Sequence, residues 1–324
     1  MPFEQLFKER VPTPDQMLTL IKFVERGSLS HAFGSGKSAQ AAATQQLGRI
    51  DRAMGIRTRK SAGIRKVPTA EGRELATLAR EFFQKLDDFK RESMRAPNHF
   101  NVGAGDSLMF YLLIPALRRA GKWRRQVELQ LQNLRSRDIV AGVLDNSLDL
   151  GLVRSSALEP QLLRAKRLHA DELCSIEYAF FVRKELLSIK QTSEEATINW
   201  CMRNLPLANF WGELSTFTAA LGRTRLKWPA QLRCESFPQV KEAVLFGDYC
   251  GILPLLAFRG GIPEEVIAFG HSSLAPAYRN VSLIWTSNLV ERRNRGELAL
   301  SELRTALHGV CGPSTGRVRP HSSI

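Results

Sequence analysis

The chain has 324 residues, 44% of them apolar and 24% charged, and a formal net charge of +14. That composition excludes a disordered chain, and the length allows more than one hydrophobic core. The longest apolar region, residues 244–258, is broken by Asp248 and Pro254 and is too short to span a bilayer, so the expectation is a cytoplasmic protein with no membrane partner.

Half of the net charge, +7, falls in residues 1–95, and residues 49–66 hold seven basic side chains against one acid. A local stripe of this kind is the electrostatic footprint of phosphate binding. The five cysteines (Cys174, Cys201, Cys234, Cys250 and Cys311) show no CxxC spacing and sit in apolar or mixed segments. They read as reduced, mostly buried thiols.

In chain order, Thr13-Pro14-Asp15-Gln16 is a helix start, with Thr as N-cap and Pro at the first helical position. Met17, Leu20, Ile21 and Val24 form its apolar stripe, and Gly27 ends it. Ser28 caps a short second helix through His31, Ala32 and Phe33, weakened by Gly34 and Gly36. Ser38 is positioned to cap a third helix reaching about Met54, with Ala39, Ala43, Leu47, Ile50 and Met54 inward. Gln40, Thr44, Gln45, Arg49 and Arg52 face the other way. An amide, hydroxyl and guanidinium face suits a helix lying in the major groove of duplex DNA. Residues 55–68 (GIRTRKSAGIRKVP) are basic and punctuated by glycine, which predicts a β-wing or loop against the phosphate backbone.

Thr69 caps a helix of some 25 residues whose first turn carries Glu71 and Glu74. Its apolar positions Leu75, Leu78, Phe82, Leu86 and Phe89 recur at spacings of three and four. The same helix of a second subunit, or the rest of this chain, would cover that seam. Residues 95–99 break the pattern, and short strands then alternate with helices. Residues 100–105, 127–134 and 149–153 read as strands, with helices over 108–120 and 136–144 between them. A similar alternation resumes through 178–182, 205–208, 240–246, 251–253 and 281–285. The order implies parallel sheets covered by helices, in two α/β lobes with a cleft between them.

Several other constellations fall short. Gly34-Ser35-Gly36-Lys37-Ser38 ends like a phosphate loop, but His31 stands where that pattern needs glycine and a helix precedes it. The six histidines are scattered, with no metal-ligand spacing, no GxSxG elbow and no acid pair, so no catalytic residue, metal or cofactor is expected. Arg118, Arg119, Lys122, Arg124 and Arg125 around Trp123 form a second basic cluster, read as a solvated helix end or a contact for an anionic partner.

From Pro14 to about Gly309 this organisation resembles the LysR-type transcriptional regulators. The family's N-terminal signature runs without insertion or deletion through Phe23, Val24, Gly27, Ser28, Ala32, Gln40, Ala42, Thr44 (where Ser is usual), Gln46, Leu47, Ile50, Asp51, Gly55, Thr69 and Gly72. Weaker echoes follow at residues 112–115, 148–153 (LDLGLV) and 236–254. The chain departs from the pattern at Ala32-Phe33, Gly36, Ala41 (usually Pro) and Gln45 (usually Arg). Thr58-Arg59-Lys60-Ser61 replaces Leu-Phe-x-Arg, which removes an apolar anchor for the wing and moves the positive charge.

The resemblance implies an α+β multidomain protein. Residues 1–69 would form a winged helix-turn-helix, 70–95 a linker and dimerisation helix, and 96–311 a two-lobed α/β effector domain like a periplasmic binding protein. Residues 312–324 would be a disordered tail. Gln40, Thr44, Gln45 and Arg49 would meet base edges. Ser28, Ser38, Arg52, Arg57, Arg59, Lys60, Arg65 and Lys66 would contact phosphates. Asp106, Ser107, Asn133, Val153, Arg154, Phe210, Trp211 and Phe246 would line the effector site. Arg154 and Ser107 are placed to receive a carboxylate, while Asp106 argues against a strongly anionic group beside it. The implied partners are double-stranded DNA, a small organic acid or aromatic effector, a second copy of the chain in a homodimer or homotetramer, and RNA polymerase. A second reading is a sensing or scaffold protein whose altered wing no longer reads DNA; its function would survive deletion of residues 1–95.

Overall fold

The computed structural model describes residues 11–34, 36–63, 65–121, 123–187, 193–213, 216–217, 230–270, 274 and 277–311. The expectation for the tail, 312–324, lies outside them.

The chain opens with α1 (Pro14–Arg26), α2 (Leu29–Phe33) and α3 (Lys37–Met54). Thr13 and Gln16 form the full capping box on α1, and Gly27 takes the left-handed conformation (φ 71°) that ends it. Leu20, Phe23, Leu47 and Ile50 are fully buried where α1 meets α3. The start of α3 differs from expectation: Gly36, not Ser38, is the N-cap, and Ser38 lies exposed in the first turn. Ala39 and Met54, expected inside, are exposed because the buried stripe is only Ala43, Leu47 and Ile50 wide.

The wing is a two-stranded antiparallel hairpin, β1 (Arg59–Ala62) with β2 (Arg65–Pro68). Its apolar anchor is indeed missing, and a polar one stands in its place. Thr58 is fully buried, and its backbone N–H and hydroxyl both donate to Asp51 Oδ1, at 2.8 and 2.6 Å. Arg59 donates to Asp51 Oδ2 at 2.9 Å, so one carboxylate on α3 holds the base of the wing. The Thr58 carbonyl accepts from Thr69 N–H at 3.1 Å, and a Cβ on Gly72 would lie 2.5 Å from that same oxygen. Position 72 therefore requires glycine.

Thr69 caps α4 (Ala70–Ser93) through the Gly72 N–H. Leu75, Ala76 and Ala79 pack into the head with α1. Leu75 thus belongs to the head's own core rather than to the seam expected for a second subunit. Leu78, Phe82, Leu86 and Phe89 are 57%, 58%, 50% and 70% exposed on one side of α4.

The remainder forms two lobes, each around a five-stranded sheet. The first has β4 (Val127–Asn133), β3 (Asn98–Ala104), β5 (Leu150–Arg154), β12 (Arg279–Thr286) and β6 (Leu168–Ile176), in that order. The second has β11 (Val266–Phe269), β7 (Tyr178–Arg183), β10 (Cys250–Pro254), β8 (Leu207–Phe210) and β9 (Ala230–Cys234). The sheets are mixed rather than purely parallel. In each, one strand runs against the others: β12 lies antiparallel between β5 and β6, and β7 lies antiparallel between β10 and β11.

In the first lobe, α5 runs as Asp106–Leu108, a π-helical turn Met109–Leu113, and Ile114–Arg119; α6 (Ser136–Leu144) and α7 (Pro160–Arg164) follow. The second lobe holds α8 (Glu194–Asn204) and α9 (Phe237–Phe246), the latter covering the segment 240–246. The chain returns to the first lobe with α10 (Leu289–Arg292) and α11 (Gly296–Cys311). The lobes connect through the step from Ile176 to Tyr178 and through the entry to β12. Among the described residues no helix is long and apolar enough to cross a membrane.

A buried polar layer joins α4 to the first lobe. Asp149, fully buried, accepts from Arg292 Nη1 at 2.8 Å, Arg293 Nη1 at 2.7 Å and the Asn101 N–H at 2.8 Å. Arg293 also forks onto Asp88 of α4, at 2.9 and 3.0 Å. Nearer the head, Arg80 of α4 pairs with Glu25 of α1 at 3.1 Å and donates to the Asp145 carbonyl.

Candidate functional site

The cleft between the lobes arises from strand direction. β3, β4 and β5 end on one wall, β8, β9 and β10 on the other, so the loops after their carboxyl ends face one another. They enclose a cleft of about 950 Å³. From the first lobe come Asp106 and Ser107 after β3, Asn133 and Arg135 around the end of β4, and Arg154 at the end of β5. From the second come Phe210 and Trp211 after β8 and Glu235 and Phe237 after β9. Tyr178 and Arg279 stand at the two crossings between lobes.

Six of the eight residues expected at the site therefore share this cleft: Asp106, Ser107, Asn133, Arg154, Phe210 and Trp211. Val153 does not, because strand alternation turns it into the core under α6, where it is fully buried. Phe246 does not either; it ends α9, far along that helix from the cleft, and is 78% exposed. The sequence reading missed Arg135, Arg279, Glu235 and Tyr111. The signal for Arg135 was available, since it directly follows a strand and caps a helix start. Arg279 and Tyr111 are brought in by the second crossing and by the π-helical turn, neither of which has a local sequence mark.

The cleft carries three arginines against two acids. The N-termini of α5, α6 and α9 open onto it without side-chain caps, and their partial positive charge adds to the arginines. Its apolar surface is aromatic, from Tyr111, Tyr178, Phe210, Trp211 and Phe237. Arg233 lies over the Trp211 ring at 4.7 Å. The buried Tyr111 hydroxyl has no hydrogen-bond partner among the described residues. Burial, with the Asp106 and Glu242 carboxylates, pushes it far above the ordinary phenol range, so it stays protonated and able to donate.

The second surface is on the head. Thr44, Gln45 and Arg49 are exposed on α3, as are Arg52, Arg57, Lys60, Arg65 and Lys66 on and beside it. Lys37, exposed in the first turn of α3, joins them and was not foreseen. Three expected contacts are otherwise engaged. Ser28 is buried and caps α2 through the His31 N–H. Gln40 is half-buried, its amide donating to the Gly34 carbonyl at 2.5 Å. Arg59 is held by Asp51. Arg52 folds back on its own helix, donating to the Gly48 carbonyl at 3.2 Å, and Lys66 crosses the hairpin to Ser61 Oγ at 2.7 Å. Among the described residues no group of His, Cys, Asp and Glu side chains is arranged to hold a metal ion.

The sequence matches the family described as the LysR substrate binding domain over residues 95–294. No curated protein matches the chain by sequence. Among solved structures, the chain is similar to a full-length OxyR variant from Pseudomonas aeruginosa, at 13% identity and a TM-score of 0.57, covering 91% of this chain and 94% of that one. It is also similar to full-length LysG from Corynebacterium glutamicum with bound effector arginine, at 14% identity and a TM-score of 0.55, covering 92% and 98%. A third similar structure is CrgA, a LysR-type transcriptional regulator from Neisseria meningitidis, at 15% identity and a TM-score of 0.50, covering 93% and 99%. These likenesses extend over the head, the long helix and both lobes, and the family match covers most of the lobes. The chain belongs to the LysR-type transcriptional regulator family.

Proposed function

We propose that this protein is a DNA-binding transcriptional regulator whose DNA binding or activation is modulated by a small molecule held between the two lobes. The observation that carries the reading is the joining, through one helix, of a basic helix-and-wing surface to a domain with a polar, aromatic-lined cleft. Thr44, Gln45 and Arg49 meet base edges, where an amide pairs with adenine and a guanidinium with guanine. Lys37, Arg57, Lys60, Arg65 and Lys66 take phosphates and set the register.

The effector is a small organic acid with an aromatic or other flat apolar body. Arg135, Arg154, Arg279 and three helix N-termini favour a carboxylate, and the aromatic walls bury the body. Asp106 and Glu235 leave room for a donor group elsewhere on the same ligand. LysG with its bound effector arginine is a structural relative, and arginine also joins a carboxylate to donor groups. The exposed apolar side of α4, Leu78, Phe82, Leu86 and Phe89, packs on a second copy and places two heads on one DNA. Occupancy of the cleft shifts the angle between lobes and hence the spacing of the heads.

Sequencing genomic fragments that copurify with the full-length protein tests the reading. Enrichment of a shared two-half-site element, lost in the R49A/R57A/K60A variant, is expected. Random fragments, or enrichment indifferent to that variant, would refute it.

A further inference from the structure

Two of the five cysteines meet where α11 lies on the edge of the first sheet. β6 contains a bulge: Asp171 stands opposite Leu283, Cys174 opposite Val281, and Leu173 is the extra residue. Positions three apart on a strand ordinarily point to opposite faces. Here Val281 and Leu283 are two apart on β12, so their partners Asp171 and Cys174 share a face, the one packed by α11. On α11, Arg304, His308 and Cys311 follow at spacings of four and three and so form one stripe. Arg304 Nε and His308 Nε2 both sit 2.7 Å from Asp171 Oδ2, which fixes the helix against the strand. One step further along both elements, Cys311 comes up beside Cys174, close enough for the two thiols to act on each other.

We propose that Cys174 and Cys311 are a redox-active dithiol that closes to a disulfide in reaction with a hydroperoxide. The Cys174 thiolate attacks one peroxide oxygen; the O–O bond breaks, an S–O bond forms, and the departing alkoxide or hydroxide takes a proton. Cys174 is then a sulfenic acid, and the peroxide has been reduced by two electrons to an alcohol or water. The Cys311 sulfur next attacks Cys174; the S–O bond breaks, the S–S bond forms, and water leaves with the thiol's proton. Cys311 is the last residue of α11, so closure asks for adjustment of one helical turn only.

The electrostatics assign the roles. The adjacent Cys311 thiol and the nearby Arg259 guanidinium hold the Cys174 thiol below its ordinary range, against burial and the Glu172 carboxylate. Cys311 is pushed up by the adjacent Cys174 thiol and by burial, so it keeps its proton. The other three thiols are buried and inert: burial pushes Cys201 up to about 12 and raises Cys234 and Cys250. Cys174 and Cys311 are both partly accessible, whereas those three are buried.

The test uses the full-length protein, reduced, desalted and exposed at pH 7 to one equivalent of hydrogen peroxide, then alkylated, digested without reductant and analysed by mass spectrometry. The expected product is an intrachain Cys174–Cys311 peptide that dithiothreitol reverses. C311S should trap a dimedone-reactive sulfenic acid at Cys174, and C174S should leave Cys311 reduced. In the untreated protein, Cys174 should react with iodoacetamide about tenfold faster than Cys201, Cys234 or Cys250. Oxidation that falls first on those buried cysteines, or an equal alkylation rate at all sites, would overturn the proposal. So would oxidation of Cys174 to sulfinic acid with no disulfide in the unmutated protein, a result that needs no variant to fold.

Discussion

Replacing Asp149 by Asn should be among the most damaging single changes of near-constant size in the regulatory domain. The carboxylate is fully buried and faces two guanidinium groups that are themselves 2% exposed. Without its charge, Arg293 keeps the fork onto Asp88, but Arg292 keeps only Gln84 Oε1 at 2.7 Å. The Arg292 Nε and Nη2 atoms have no partner among the described residues even before the change. Burial already pushes Arg292 below the ordinary guanidinium range, with Asp149 opposing the shift. At Arg293, burial acts the same way, yet Asp149 and Asp88 together leave it raised. The cost therefore falls on Arg292 as an uncompensated buried cation, about 3–5 kcal/mol for breaking such a pair. In a domain of this size the midpoint of thermal unfolding should fall by on the order of 10 °C. Denaturant unfolding of D149N and of D149N/R292M separates this reasoning from simple loss of packing. The double variant removes the orphaned charge and should recover about half of the loss or more. A single-variant cost under about 1 kcal/mol, or a double variant less stable than the single, would refute the argument.

The polar wing anchor predicts that Thr58→Val, nearly isosteric, leaves Asp51 short of its 2.6 Å donor and costs about 1–3 kcal/mol by denaturation of the head, with weaker DNA binding. A stability unchanged within error would show that the wing is held otherwise. Phe82→Glu, at a position 58% exposed, should leave the fold intact and convert the oligomer to monomer in sedimentation velocity. An unchanged oligomer would place the contact elsewhere. Burial alone would raise the Asp171 carboxyl, but donation from Arg304 and His308 overcomes it and holds the group below its ordinary range. Its contribution is therefore complete above the unfolded-state value near pH 4 and is lost as pH falls through the lower folded one. The stability difference between wild type and D171N should shrink as pH falls below about pH 4, and a difference that grows over that acid range would contradict the assignment.

Much of the architecture was legible in local chemistry. Thr13, Thr69 and Gly27 act as caps and stops because those roles depend on a few neighbouring atoms. The strand-helix alternation marked the loops that form the cleft, since parallel strands deliver their carboxyl ends to one side. What escaped depends on distant partners. Gly36 displaced Ser38 as the cap of α3, and Gln40 turned back to the Gly34 carbonyl, because the turn before α3 had its own groups to satisfy. The absent apolar anchor at Thr58 looked like a loss, yet Asp51, seven residues upstream, supplies the replacement. The reversed strands β7 and β12, each of which follows a chain crossing between lobes, have no mark in any local period. Leu75 shares the spacing of the seam on α4 but falls under α1, so periodicity alone could not separate the head's core from the free side.

The central claim is that the basic surface of α3 and the wing binds duplex DNA, and salt dependence tests it most directly. Binding of the full-length protein to an enriched genomic fragment should weaken with a log–log salt slope of about −5 if about six phosphates are neutralised. Replacing Lys60, which is present once in each of the two heads, should reduce the magnitude of that slope by about two. A slope near zero, or one unchanged in the Lys60 variant, would contradict the account.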